Sequence, residues 1–425
     1  MFNCRLLIYG GMALGLLATR SVSPAAAQTR QSAAANPPQG KIVLIQGHVD
    51  SAAAGGQDQW NPARLFQPLF VSDRVRTLSA SRSAILFIDE TQVKLNAGAV
   101  LTVQQIKTAT GTSTTLNLLE GEGWFRTKNP SSGLTIKTPR AAAAIRGTEI
   151  DIVVRGNDAV LTVTEGAAEF SNDAGAILVS AGEQATATPG QTPTKRTLLN
   201  PEDAVQWVLY YPSHLTWREP AENAEVERRT ELAAAALAIG DAAAARAELE
   251  SVLASSPDAL RPLVMLSELH LTQNRSADAA VVAKRASAAH PNSVAAHVAV
   301  AQAAQAAFDL DAARRELDAA IAIDPTDTRA LVNRARIRFG TGDSQGARQD
   351  ADRASARAPD DAQLRSLLGF IKMAEGDEAA ARADFDAAVG SDGALGEPHL
   401  GLGLLHFRAG QRDEGLLEML STMML

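Results

Sequence analysis

The sequence predicts an all-β N-terminal domain, a β-sandwich or β-roll, followed by an all-α superhelix of antiparallel helix pairs. Three observations carry that expectation. Pro257, Pro291, Pro325 and Pro359 recur every 34 residues. Small residues keep the same step at Ala245, Ala279, Ala313, Ala347 and Ala381, and so does a turn position at Gly240, Asn274, Phe308, Gly342, Gly376 and Gly410. Such a period marks helix–turn–helix units that bury their apolar faces only by stacking. Upstream of the repeats the period is two, and glycines break up short β-branched runs.

Composition sets outer bounds. A net charge of −8 with 21% charged residues suits a soluble chain and argues against nucleic acid, which is normally met by a basic face. Aromatics at 4% fit Ala-rich helices.

Residues 1–27 read as a secretory signal: Arg5, an apolar run from Leu6 to Ala18, and the small residues Ala25-Ala26-Ala27 before Gln28. That run is too short to span a bilayer comfortably, so no membrane span is expected after cleavage, an uncleaved anchor being the competing reading. The single cysteine, Cys4, leaves with the signal and takes thiol chemistry with it. The expected compartment is the periplasm, with extracellular release as the alternative.

Residues 28–40 form a polar, Pro-containing leader. Over 41–188 lie the short strands. Ile42 and Leu44 alternate, and further runs follow at 84–88, 93–95, 100–103, 116–119, 134–136, 149–154, 160–164 and 176–179. TPGQTPTKR reads as a loop closing the domain near Ala187. Residues 189–220 link the halves. There Asn200 can cap a short helix opened by Pro201, and Trp207, Tyr210, Tyr211 and Trp217 are expected to pack the sheet against the first repeat.

Residues 221–425 hold about six units, starting near Val226, Leu260, Val294, Thr328, Ala362 and Gly396, the last incomplete. Each proline closes a second helix, and each repeated alanine lets two helices approach. This pattern resembles the tetratricopeptide repeat over about 200 residues. His297 and His399 stand where that family favours Trp, and His270 and His406 where it favours Tyr or another bulky residue. They are read as fillers of inter-helix slots, since ligand spacing for a metal is lacking. The terminal LLEMLSTMML is an apolar helix that needs cover.

The run TPRAAAAIRGTEIDIVV, Thr138 to Val154, then AVLTVTEGAAEFSN and ILVSAGEQATATPG, resembles the FecR domain over roughly 41–188. The matching residues are Thr138, Pro139, Arg146, Gly147, Thr148, Glu149, Glu165 and Gly166. The resemblance implies a periplasmic β-domain in envelope signalling, which in family members relays occupancy of an outer-membrane iron-siderophore receptor to a sigma factor. Only five residues precede the apolar segment, so a cytoplasmic sigma-binding arm is not expected, and a scaffold role is expected instead. Arg146 and Glu149 are read as a structural corner at Gly147.

No phosphate loop, HExxH or GxSxG motif is present, so no enzyme, metal or cofactor is expected. His48, Asp50 and Ser51 are adjacent, which is not triad geometry. Glu120 and Glu122 flank Gly121 and are read as a solvated edge. The expected function is a protein-interaction scaffold whose partners lie in the cell envelope, an outer-membrane receptor system among them. A ligand- or glycan-sensing β-domain is the alternative, and a polar, aromatic-lined cavity would favour it. The resemblance to the repeat family places the groove at Arg261, Glu268, Gln302, Arg329, Arg336, Phe339, Phe370, Met373 and Phe407. The phenylalanines would anchor an internal segment, and Arg329 and Arg336 would select acidic neighbours.

Overall fold

The computed structural model describes residues 37–56, 59–105, 114–127, 133–198, 201–209 and 223–424. The expected signal, most of the leader, and Tyr210, Tyr211 and Trp217 lie outside the described residues.

Seventeen strands occupy the first half of the described residues: β1 (Gly40–Gln46), β2 (Val49–Ala52), β3 (Asn61–Pro62), β4 (Pro68–Leu69), β5 (Arg74–Thr77), β6 (Arg82–Phe87), β7 (Gln92–Leu95), β8 (Val100–Gln105), β9 (Thr114–Arg126), β10 (Leu134–Lys137), β11 (Ala142–Ile145), β12 (Glu149–Arg155), β13 (Asp158–Glu165), β14 (Ala167–Asn172), β15 (Gly175–Ser180), β16 (Glu183–Ala187) and β17 (Thr194–Thr197). They form two sheets. One runs β4-β1-β6-β7-β9-β12-β13-β16-β17. The other runs β3-β2-β5-β8-β9-β10-β11-β14-β15, with β9 and β10 parallel. Between them lies a core with Phe125, Phe170, Ile85 and Leu116 fully buried.

The two sheets share β9, and Gly121 is where it turns from one to the other. Up to Glu120 it pairs with β8, and from Gly121 on with β12. Gly121 has φ +80°, and a Cβ there would come within 2.5 Å of Ala99 Cα, so only glycine fits the corner. The corner also separates the two carboxylates expected on one solvated edge. Glu120 is exposed, whereas Glu122 turns into a half-buried site and accepts from Asn96 Nδ2 at 2.7 Å.

Three stretches differ from the sequence expectation. β1 does not alternate: Ile42, Val43 and Leu44 are all buried, because helices cover the outer face of its sheet. β11 is a strand made almost wholly of alanine, a poor strand former, held by pairing on both sides with β10 and β14. The expected loop TPGQTPTKR runs into β17, an edge strand whose four residues are exposed, so no burial pattern marks it.

The first crossing to the second half is a 3₁₀ turn, Pro201–Val208. Twelve helices follow among the described residues: α1 (Ala224–Ala238), α2 (Ala242–Ser255), α3 (Leu260–Thr272), α4 (Ser276–Ala289), α5 (Val294–Ala306), α6 (Leu310–Ile323), α7 (Thr328–Gly340), α8 (Ser344–Ser355), α9 (Ala362–Glu375), α10 (Glu378–Ser391), α11 (Gly396–Arg408) and α12 (Arg412–Met424). They pair as six antiparallel hairpins. All six expected turn residues have positive φ, including the non-glycines Asn274 (56°) and Phe308 (61°). After four of these turns an aspartate (Asp241, Asp309, Asp343 or Asp377) caps the second helix through its side chain. Ala245, Ala279, Ala313, Ala347 and Ala381 are each fully buried at the crossings. First helices of successive units pack on one another, as α3 does on α5, so they line the inner curve.

Candidate protein interface

One substitution recurs inside the units. The first-helix position where the repeat family favours Trp carries a basic residue in four units. In each, a carboxylate 19 residues later on the second helix receives it. The pairs are Arg229–Glu248 (3.0 Å), His297–Glu316 (2.7 Å), Arg365–Asp384 (2.9 Å) and His399–Glu418 (2.6 Å). In the second unit both positions are apolar, Leu263 and Val282. In the fourth, Leu331 stands at the first position, and Asp350 instead takes Arg334 and Arg338 from α7 at 2.7 and 2.8 Å. His399 is fully buried on Glu418, while His406 contacts Gln411 and Arg382. The two histidines therefore serve separate partners. Among the described residues no group of three His, Cys, Asp or Glu could hold a metal ion.

The expected groove residues divide into three sets. Arg261 and Arg336 are committed to the chain itself. Arg261 is 2% exposed and ties the second unit to the first through Glu227 and Glu231 at 3.0 and 3.1 Å. Arg336 reaches Glu397 on α11 at 3.1 Å. Phe339, Phe370 and Met373 pack into the superhelix core; Phe370 lies edge-on to Phe385 with centroids 4.9 Å apart. The third set faces the inner curve. Glu268, Gln302 and Arg329 meet around a cavity of about 50 Å³ with Val298, Val332 and Asn333. Burial pushes the Glu268 carboxyl up to about 8, and Arg329 opposes that rise. Gln302 Oε1 is buried and accepts no hydrogen bond from the described residues.

Phe407 also faces this curve, 39% exposed over Gly415. The sequence reading missed its neighbours Leu400 and Leu404, exposed at 36% and 37%. Spaced four and three residues apart on α11, the three make one apolar stripe. Their signal was the i, i+4, i+7 spacing, which looks the same in a core helix.

The β-half meets both ends of this array. At the first end Trp207 Nε1 donates to Asp151 at 3.1 Å, and Lys94 Nζ to the Val208 carbonyl at 3.2 Å. Gly240 (φ +82°) abuts Arg82 and Trp207, where a Cβ would lie 2.6 Å from Trp207 Cβ. Asp151 is pushed well above the carboxylate range by burial and then by Glu122, while the Trp207 N–H pulls it back. Burial likewise lowers Lys94 to about 8. At the other end Ala394 and Met424 pack with Val43, Leu44 and Ala84. Between the two contacts lies a cavity of about 760 Å³, walled by β1, by the first and fifth units and by the loops on either side of the fifth.

The FecR-like residues build corners. Thr138 Oγ1 donates to the Ala141 carbonyl and accepts from the Arg140 and Ala141 N–H groups, closing the turn at Pro139. Thr148 Oγ1 donates to the Arg146 and Ala167 carbonyls across the Gly147 and Gly166 turns. Glu149 lies 3.7 Å from Arg126 and accepts from Thr164, while Arg146 and Glu165 are exposed. Beside Thr138 is a polar cavity of about 450 Å³, lined by Lys137, Arg140, Asn172 and Asp173 and, among the described residues, by no aromatic side chain. Asp50 is held by Arg76 at 2.7 Å, so it is not the partner a triad at His48 would need.

A FecR protein family model matches residues 73–169, and a tetratricopeptide repeat model matches 236–303 and 304–369. No curated protein sequence matches the chain. Among solved structures, a candidate anti-sigma factor from Parabacteroides distasonis is 16% identical with TM-score 0.29, over 32% of this chain and 64% of that one. The chain thus spans less than two thirds of that relative. A thermophilic TPR protein of Thermus thermophilus is 20% identical with TM-score 0.38, over 45% of this chain and 100% of that one. MamA is 19% identical with TM-score 0.29, over 37% of this chain and 92% of that one. These likenesses carry no argument about function.

Proposed function

We propose that this chain, a FecR-domain protein with C-terminal tetratricopeptide repeats, is a non-enzymatic interaction adaptor of the cell envelope. Both domain types point to protein interaction and signalling. The finer reading is that the inner curve of the array binds a segment of an envelope protein and the FecR domain adds assembly contacts. The observation that carries it is the exposed stripe Leu400, Leu404 and Phe407 on α11, apolar surface on a face that repeat arrays use for recognition. The sensing alternative draws less support, because no aromatic side chain among the described residues lines the cavity of the β-half.

Phe370 sits on Phe385, so its truncation would report stability as much as binding. Leu404→Glu is the cleaner probe, since Leu404 is more than a third exposed. Tagged full-length chain should recover partners from an envelope fraction, and the Leu404→Glu chain should lose them with its melting temperature unchanged. Equal recovery by both would remove the inner curve as the interface. Export belongs to the same proposal, and sequencing the N-terminus of chain recovered from periplasm should read from near Gln28.

A further inference from the structure

We infer that the 760 Å³ cavity between β1 and the array, continuous with the inner groove, is a binding site for a cationic, Lys- or Arg-bearing protein segment. This rests on the reading of the inner curve as an interface and names the chemistry of what enters it. Continuity is shown by shared walls: Asp361, Ala362 and Asp392 line both the large cavity and the 50 Å³ groove pocket. The charges facing this space have one dominant sign. Asp360, Asp361 and Asp392 line the large cavity, and among the described residues no lysine or arginine does. In the groove pocket the one cation among the described residues, Arg329, lies 3.8 Å from Asp327.

The acceptor side is unbalanced as well. Gln302 Oε1 is a buried carbonyl with no donor among the described residues, and such a group is costly unless an N–H reaches it. Asp361 spends one oxygen on the Leu364 backbone N–H. The Asp360 side chain is 93% exposed and 4.0 Å from Arg365. Apolar walls from Ile45, Leu65, Leu237 and Val389 complete the site and suit the methylene stem of a lysine or arginine. The expectation that Arg329 and Arg336 would select an acidic segment is therefore reversed, because the chain's own Asp327 and Glu397 already answer them.

The test is fluorescence anisotropy on the full chain with three labelled twelve-residue peptides built on one Ala-Leu scaffold. Their polar positions are all Lys, all Ser or all Glu. The Lys peptide should bind at least tenfold tighter than the Ser peptide, weakening with salt, and the Glu peptide should bind weakest. Asp360→Asn, Asp361→Asn and Asp392→Asn together keep the capping and turn acceptors while removing three charges. That variant should lose tenfold or more for the Lys peptide, whereas Glu165→Gln on the far β-half should lose none. Lys and Ser peptides binding alike would overturn the inference, as would equal losses in the two variants. If the Lys peptide fails while Leu404→Glu still releases partners, only the charge class falls and the interface reading stands. If Leu404→Glu releases nothing while the Lys peptide binds as expected, the cavity stands and the α11 stripe falls.

Discussion

Phe308 shows how the repeat register overrules a residue's own preference. The position demands a left-handed backbone, met by glycine in four of the six units, and Phe308 adopts φ 61° with its ring 89% exposed. A bulky residue there carries strain and makes little contact to offset it. Phe308→Gly should therefore raise stability by about 0.5–1 kcal/mol, after the added freedom of glycine in the unfolded chain is subtracted; urea midpoints would read it. Glu268 makes a second residue-scale statement. Burial pushes its carboxyl from an ordinary 4.5 up to about 8 in the folded chain. Between those values the native state holds a proton that the unfolded state has released. Its contribution to stability therefore falls as pH rises from about 4.5 to 8 and levels off beyond. Glu268→Gln should remove that slope, so the variant should gain on the parent between pH 5 and 8 in paired urea titrations. No gain would mean that Glu268 is ionised and compensated in the native state.

Within an element pair, the small residue and the basic–acidic pair have separate roles. Ala313 is fully buried where α5 and α6 cross, so extra volume has nowhere to go. Ala313→Leu should cost about 1–3 kcal/mol by overpacking, and an unchanged thermal midpoint would show the crossing to be loose. The alanine ladder was legible because one residue type recurs at one step. The pairs such as His399–Glu418 were half legible. The histidines were noticed, but their carboxylates lie 19 residues on, a spacing that follows from how two antiparallel helices face each other and not from any single helix period. For the expected groove residues, the sequence carried no sign of which side chains the chain itself engages. Arg261 and Arg336 lie on first helices as expected, yet acidic residues of other units, Glu227 and Glu397, reach them.

Across the whole molecule, one sheet contacts both ends of the array: Asp151–Trp207 and Gly240 at one end, Met424 at the other. The apolar final helix is thus covered in part by the chain's own β1. Coupling of this kind has a measurable consequence. Trp207→Phe deletes the donor to a carboxylate that is only 1% exposed, and leaving such a group without its partner costs about 1–3 kcal/mol. Calorimetry should show one transition for the parent and separate unfolding of sheet and helices in the variant. A single, unshifted transition would show that the junction does not couple the halves.

The sequence by itself determined the two fold types, the six-unit register and its turns, because each rests on local rules repeated many times: period two with glycine breaks, and period 34 with proline and small residues. It also marked Trp207 as a residue joining the halves. Only the tertiary structure decided that β1 is buried on both faces, that β9 bends at Gly121 to serve two sheets, and that Glu120 and Glu122 part company there. It alone decided which charges remain to face the inner curve. Those outcomes depend on which distant segments meet, as Arg336 meets Glu397 across 61 residues, and no local period encodes a meeting at that range.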